Sequence, residues 1–333
     1  MSLLEVSNVH KSFGSRGSLL RKGVRVSAVH DVSLSVNLGQ TLGIVGESGS
    51  GKSTLGRLIV GLHQPDSGTV TFDGRRVDGA RGAVARRLRR EIQMIFQDPY
   101  SSLDPMKTIE YTLLEPLAVN AIGDRRSRLA RVRALIERVG LGRHHLARYP
   151  YELSGGQRQR VAVARALITE PRLVVCDEPV SALDVSTQAQ VVNLLRDLQA
   201  ELGIALVFIS HDISVVRNIS DRIAVLYLGE LVELGDGEQI LSDPQHPYTK
   251  ALLSSVPGAG KLRVSAGERP ELRGEVAETG PAPAGCRLHP RCPEVMDICR
   301  TVRPALVTTP AGCEVACHLF DQNPRPAELI TNG

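Results

Sequence analysis

Apolar positions along the chain follow several patterns. Residues 3–9 and 32–36 carry short β-type apolar patterns and predict an antiparallel edge sheet. Residues 41–45, Thr-Leu-Gly-Ile-Val, form an apolar strand that runs straight into a glycine-rich loop. Further continuous apolar runs at 92–96, 172–177, 204–210 and 222–227 are the pattern of strands covered on both faces. Helical patterns at 53–62, 158–168 and 187–201 alternate with these strands, which predicts an α/β core. Residues 106–150 differ. They read as helical pieces rich in Arg and Leu, such as Arg125 to Val139, and predict a helical subdomain of about 98–165 inserted into the core. Past Asp236 the β–α alternation stops and Pro and Gly become frequent, above all from Gly258 to Gly285. The chain is therefore expected to divide into 1–235 and 236–333, with 286–333 read as loops around a small staple.

Composition narrows the function. Of 333 residues, 42% are hydrophobic, enough for a packed core. Aromatics make up only 3%, without Trp, which disfavours single-strand nucleic-acid binding by base stacking. A net charge of +4 and a pI of about 8.8 are mildly basic, not the footprint of a DNA-binding protein. The basic run Arg81 to Arg90 reads as a solvated helix face. No apolar stretch approaches the roughly 18 residues of a transmembrane helix. Met1 to Phe13 lacks the apolar core of a signal peptide. The chain is expected in the cytosol, docking on a separate membrane protein if it serves a membrane process. Five of six cysteines fall between Cys286 and Cys317, and in that compartment such clustering favours metal binding over disulfides.

Gly46-Glu47-Ser48-Gly49-Ser50-Gly51-Lys52-Ser53 lies between a predicted strand and a predicted helix, the context of a phosphate-binding loop. Its glycines let backbone N–H groups approach phosphates without side-chain clashes. Lys52 is expected to reach the β- and γ-phosphates and Ser53 to ligate Mg2+, with Thr54 continuing the helix N-terminus. Asp177 ends the strand Leu173–Asp177, where an acid beside such a loop holds Mg2+ directly or through water. Glu178 follows and is expected to serve as general base on the attacking water. Gln97, at the end of the Ile92–Phe96 strand, is placed to touch Mg2+ and that water. His211 ends the strand Ile204–Ser210. Phe13 precedes a loop glycine and is either a core residue or a stacking platform for adenine. Leu153-Ser154-Gly155-Gly156-Gln157, just before an apolar helix, offers an anion clamp.

The order of these sites resembles the ATPase subunit of an ATP-binding cassette (ABC) transporter over residues 1 to about 235. The resemblance rests on the phosphate loop, Gln97, Leu153–Gln157, Asp177-Glu178, Ser181-Ala182-Leu183-Asp184 and His211. It implies a P-loop NTPase core with an antiparallel β edge sheet, an inserted helical subdomain and a small Cys-rich C-terminal extension. It implies that His211 contacts the γ-phosphate. It further implies that two ATPase subunits pair head to tail, so that Ser154, Gly155, Gly156 and Gln157 serve the partner's ATP while Asp184 lies at the seam.

A finer resemblance lies in Phe96-Gln97-Asp98-Pro99-Tyr100-Ser101-Ser102-Leu103-Asp104-Pro105, His246-Pro247-Tyr248-Thr249-Lys250-Ala251-Leu252-Leu253 and Gly285-Cys286-Arg287-Leu288-His289-Pro290-Arg291-Cys292-Pro293, with Val315-Ala316-Cys317-His318. These are similar to oligopeptide, dipeptide and nickel importers, and the insert Arg16 to Val24 resembles their second, F-type ATPase subunit. The resemblance implies a non-identical second ATPase, two transmembrane permease subunits, an extracytoplasmic solute-binding protein and a place on the cytoplasmic face of the cell membrane, with no nucleic-acid partner. Oligopeptides or dipeptides are the expected solute, with nickel or short oligosaccharides as alternatives. A soluble ABC ATPase in DNA repair or translation is the rival of another class. Clustered thiols suit zinc or an iron–sulfur cluster, and tight CxxC pairs are absent. The importer pattern implies a 4Fe-4S cluster on Cys286, Cys292, Cys299 and Cys317, with zinc or unligated thiols as alternatives and Cys313 as another candidate ligand. Cys176 reads as a small core residue.

Overall fold

A computed structural model of the chain describes residues 2–14, 25–98, 103–255, 272–274 and 283–321. The insert Arg16 to Val24, Pro99 to Ser102 of the glutamine segment and most of the Gly258–Gly285 stretch lie outside the described residues.

The continuous apolar runs become the centre of an eight-stranded sheet. Strands β3 (Thr41–Val45), β6 (Ile92–Ile95), β7 (Leu173–Asp177), β8 (Ala205–Ser210) and β9 (Arg222–Tyr227) lie parallel in the order β9-β3-β8-β7-β6. Both faces of this sheet are covered, which explains why its strands do not alternate in polarity. Leu42, Ile44, Val175, Val207 and Ile209 pack into one core cluster. Val45, Val174, Cys176, Leu206 and Phe208 pack into the other. Cys176 is fully buried there as a core residue.

The first cluster is roofed by α1 (Lys52–Ile59) and a four-stranded antiparallel sheet of β1 (Leu4–Gly14), β2 (Arg25–Val36), β4 (Ser67–Phe72) and β5 (Arg75–Arg76), in the order β2-β1-β4-β5. The second is covered by α3 (Ile109–Val119), α4 (Arg125–Arg138), α5 (Gly155–Leu167) and α6 (Val185–Leu202). Side-chain oxygens of Thr108, Asp124, Ser154 and Asp184 cap α3 to α6, accepting backbone N–H groups that helix starts leave unpaired. Helix α2 (Gly82–Glu91) buries Ala85 and Leu88 and leaves Arg86, Arg87, Arg89 and Arg90 exposed, a solvated face.

Besides β4, which has one wet face and no continuous apolar run, three features depart from the sequence expectation. Strand β2 starts at Arg25, well before residue 32, because it pairs with a β1 that runs to Gly14 through several register shifts. Strand β10 (Glu230–Asp236) has no clean apolar pattern because it carries a fully buried Glu233. Residues beyond 286 are also not loops alone. Strand β12 (Glu314–Val315) pairs with β10, and β11 (Val307–Thr308) pairs with β12, so the C-terminal extension completes the main sheet. Helix α7 (Ile213–Arg217) lies between β8 and β9, and α8 (Gly237–Ser242) and α9 (Pro247–Ser254) lie between β10 and this segment.

Candidate functional site

The loop Gly46–Ser53 joins β3 to α1. Gly46, Gly49 and Gly51 take positive φ values of 154°, 78° and 95°, a region that side chains disfavour. Two of them are also sterically obligatory. A Cβ on Gly46 would lie 2.1 Å from the Leu226 carbonyl oxygen, and one on Gly51 2.0 Å from that of Ala28. Lys52 is buried, and its Nζ donates to the carbonyls of Gly46 at 2.7 Å and Glu47 at 2.8 Å. Burial pushes its ammonium pKa down, while Glu178, Asp177 and Glu47 favour the charged form.

The loop opens on a cleft of about 420 Å³ lined by Ala28, Ser48, Gly49, Gly51, Lys52, Ser53, Thr54, Gln97, Glu178 and His211. Sequence reasoning missed Ala28; it arrives from β2, a strand whose start was not legible. Ser53 Oγ donates to Asp177 Oδ1 at 2.7 Å. Asp177 is buried at the end of β7, and that burial raises its carboxyl pKa. Glu178 follows with φ 46°, a left-handed conformation unusual for a side chain and of the kind that clusters at functional sites. Its N–H is held by the Ile209 carbonyl at 3.0 Å. Glu178 Oε2 then accepts from Gln97 Nε2 at 3.0 Å and lies 3.3 Å from His211 Nδ1. Three strand ends, of β6, β7 and β8, thereby converge on one carboxylate oxygen.

Phe13 lies at the end of β1, 42% exposed, with its ring edge-on to His63 at 5.4 Å. It is not a core residue. The segment Ser154–Gln157 does not line the cleft. Ser154 caps α5 in a reciprocal box, with its Oγ accepting from the Gln157 N–H at 3.3 Å and Gln157 Oε1 accepting from the Ser154 N–H at 2.9 Å. Gly156 is required by close approach, since a Cβ there would meet Thr187 Cγ2 at 2.5 Å. Asp184 caps α6, and hydrogen bonds from Ser186 and Thr187 hold its carboxyl well below the usual range. Ser154 and Asp184 thus belong to one surface, apart from the chain's own loop.

In the C-terminal extension, Cys286, Cys292, Cys299 and Cys317 are mutual electrostatic neighbours. Burial is the first cause that raises the thiols of Cys286, to about 12, of Cys292, and of Cys317, to about 11. Backbone N–H groups two residues on, at Leu288, Glu294 and Leu319, bond the sulfurs of Cys286, Cys292 and Cys317. Cys313 stands outside this group. Its Sγ is 3.1 Å from Thr309 Oγ1, and its charged neighbours are Glu233 and Asp243. Among the described residues, no group of three or more His, Cys, Asp or Glu side chains is arranged to hold a metal ion.

A strand–glycine loop–helix unit, an acid pair at the end of β7 and a sheet of this order define a P-loop nucleoside triphosphatase. Residues 29–181 match the ABC transporter family, and residues 232–299 match the oligopeptide/dipeptide transporter C-terminal region. The oligopeptide transport ATP-binding protein AppF of Bacillus subtilis is 46% identical over 321 residues, 96% of this chain and 98% of AppF. A probable peptide ABC transporter ATP-binding protein of Sinorhizobium fredii, y4tS, is 47% identical over 319 residues, 96% of this chain and 90% of that protein. Among solved structures, the dimeric post-hydrolysis ATP-binding cassette MJ0796 bound to ADP and Pi matches with a TM-score of 0.62 at 31% identity, over 70% of this chain and 98% of that one. The cbiO1 protein of Clostridium perfringens, part of the ABC transporter complex cbiONQ, matches with a TM-score of 0.63 at 29% identity, over 73% of this chain and 91% of that one. The chain belongs to the ATP-binding subunits of ABC transporters, within the oligopeptide/dipeptide family.

Proposed function

We propose that the chain hydrolyses ATP to energise uptake of oligopeptides or dipeptides from the cytoplasmic face of a membrane. The observation that carries the hydrolytic part is the sharing of Glu178 Oε2 by Gln97 and His211 at the mouth of the phosphate loop. Glu178 takes the proton of the attacking water. Gln97 and His211 fix the carboxylate, and His211 reaches the γ-phosphate. Lys52 and the N–H groups of residues 48–54 counter the charge on the transferred phosphoryl group. Ser53, Asp177 and Gln97 supply oxygen atoms that fit Mg2+, a hard cation. Held by these residues, Mg2+ would neutralise charge on the phosphates. Phe13, exposed at the end of β1, stacks on adenine.

Two such chains, or this chain and a non-identical ATPase, pair head to tail. Ser154, Gly155, Gly156 and Gln157 then contact the ATP held by the partner, and Asp184 lies at the seam. Support comes from the absence of this segment from the chain's own cleft. Two permease subunits and an extracytoplasmic binding protein complete the importer. No helix among the described residues is long and apolar enough to cross a membrane, which fits a subunit that docks on others.

The cysteine module is read as the seat of a 4Fe-4S cluster on Cys286, Cys292, Cys299 and Cys317. Their mutual proximity, and backbone donors to three of the four sulfurs, support it. Zinc on the same thiols is the alternative. Cys313, paired to Thr309, is not a ligand in this reading.

Reconstitution of this chain with its permease and ATPase partners in proteoliposomes tests the function. ATP-dependent accumulation of a labelled peptide, lost when this chain is omitted, is expected. Uptake that continues without the chain contradicts it.

A further inference from the structure

The two C-terminal motifs, His246–Leu253 and Gly285–Pro293, have no part in the hydrolytic reading above, yet both reach the phosphate loop. They meet there at Glu47, a loop residue absent from the cleft lining. Tyr248, on α9, is fully buried, and its Oη accepts the Glu47 N–H at 2.8 Å. Arg291 approaches the same residue from the side chain. Its Nη1 donates to Glu47 Oε2 at 2.9 Å and its Nη2 to Oε1 at 3.4 Å, a two-pronged pairing of guanidinium with carboxylate. Tyr227 backs both groups. Its ring lies 4.7 Å from that of Tyr248 and its Oη 3.4 Å from Arg291 Nη1.

The motif residues around Tyr248 explain how it is delivered. His246 caps α9, its Nδ1 accepting the Tyr248 N–H at 3.1 Å. Buried Glu233 on β10 accepts the N–H groups of Gln245 at 2.7 Å and His246 at 3.0 Å. A second route runs through Arg287, which is paired to Glu230 and donates to the Leu228 carbonyl. The next N–H, of Gly229, donates to the Ser50 carbonyl of the loop at 2.9 Å. The loop is therefore gripped at Glu47 directly by the extension and at Ser50 by Gly229, whose neighbour Leu228 is held by Arg287 of the extension.

We propose that Arg291 and Tyr248 are positioning residues that hold the phosphate loop in its nucleotide-binding shape through Glu47, making the C-terminal extension part of the ATP site. The mechanical link is short. The Glu47 backbone is held at its N–H by Tyr248 and at its carbonyl by Lys52, so a displaced Glu47 displaces the lysine that meets the phosphates. Arg287 and Arg291 adjoin Cys286 and Cys292 in the chain, so whatever orders those cysteines also orders the grip. The inference rests on the reading of residues 46–54 as the ATP loop.

MgATP binding to the full chain, purified anaerobically, tests it, together with KM and kcat in the assembled complex. Arg291→Gln and Glu47→Gln are each expected to weaken MgATP binding about three- to tenfold. KM rises in step while kcat stays within about twofold, and the double variant is no weaker than the worse single one. Tyr248→Phe shifts binding in the same direction, and Arg291→Lys recovers part of the loss. Iron content per chain stays at the wild-type value in Arg291→Gln. Wild-type affinity in Arg291→Gln and Tyr248→Phe overturns the proposal, as do multiplicative effects of Arg291→Gln and Glu47→Gln, or a loss of affinity that appears only with loss of iron. Lys52→Ala separates the two levels. If it retains full MgATP affinity, the loop reading itself fails; if it abolishes binding while Arg291→Gln does not weaken it, only the grip fails.

Discussion

The phosphate loop and the grip that the C-terminal extension places on it make their geometry in opposite ways. The loop is local: a run of eight residues turns through three positive-φ glycines. The grip is stitched by distant pairs. Arg291 and Glu47 are 244 positions apart, and Arg287 and Leu228 are 59 apart. A site made of backbone and short loops carries its chemistry with it. A site made of long-range pairs works only if the rest of the sheet holds both partners in register.

That contrast orders the expected losses. Lys52→Ala, which removes a cation from the cleft itself, is expected to lower ATPase turnover in the assembled complex by about 10²- to 10³-fold, read by phosphate release. Ser154→Arg is expected to act in trans. It leaves MgATP binding to this chain intact and cuts hydrolysis at the partner's loop by about 10²-fold, measured in mixed dimers where only one site is competent. In the cysteine module, Cys299→Ser is expected to remove iron and acid-labile sulfide after anaerobic purification, whereas Cys313→Ser keeps both. Zinc alone in the wild-type chain, or iron lost equally from both variants, would break the assignment. Phe13→Ala is expected to have the smallest effect. Loss of one stacking face worth about 1 kcal/mol raises the Kd for MgATP about fivefold without changing kcat.

The same contrast explains what was legible in the sequence. Strands β3, β7, β8 and β9 announce themselves because both of their faces are buried, so their central positions carry no charged or polar side chain. The phosphate loop is readable because Gly46 and Gly51 sit where any Cβ would strike a carbonyl oxygen. Strands β4 and β10 were missed. Strand β4 has one wet face, and β10 spends a core position on Glu233, whose carboxylate caps the 245–246 turn. Ser154–Gln157 looked like a clamp for the chain's own nucleotide, and only the resemblance moved it to another subunit. Glu47 carried no signal at all: its partners are an arginine and a tyrosine whose motif spacing gives no hint of where they dock. Which cysteines face one another was likewise open, because chain spacing does not distinguish Cys313 from Cys317, whereas the strand pairing of β12 turns Cys313 toward Thr309.

Glu178 bears the central claim, since three strand ends converge on its carboxylate. Steady-state hydrolysis by the assembled complex carrying Glu178→Gln, with MgATP affinity measured in parallel, tests it most directly. Affinity within about twofold of wild type and turnover reduced by about 10²- to 10⁴-fold is the predicted result. Undiminished hydrolysis in that variant would remove Glu178 from its role and contradict the account.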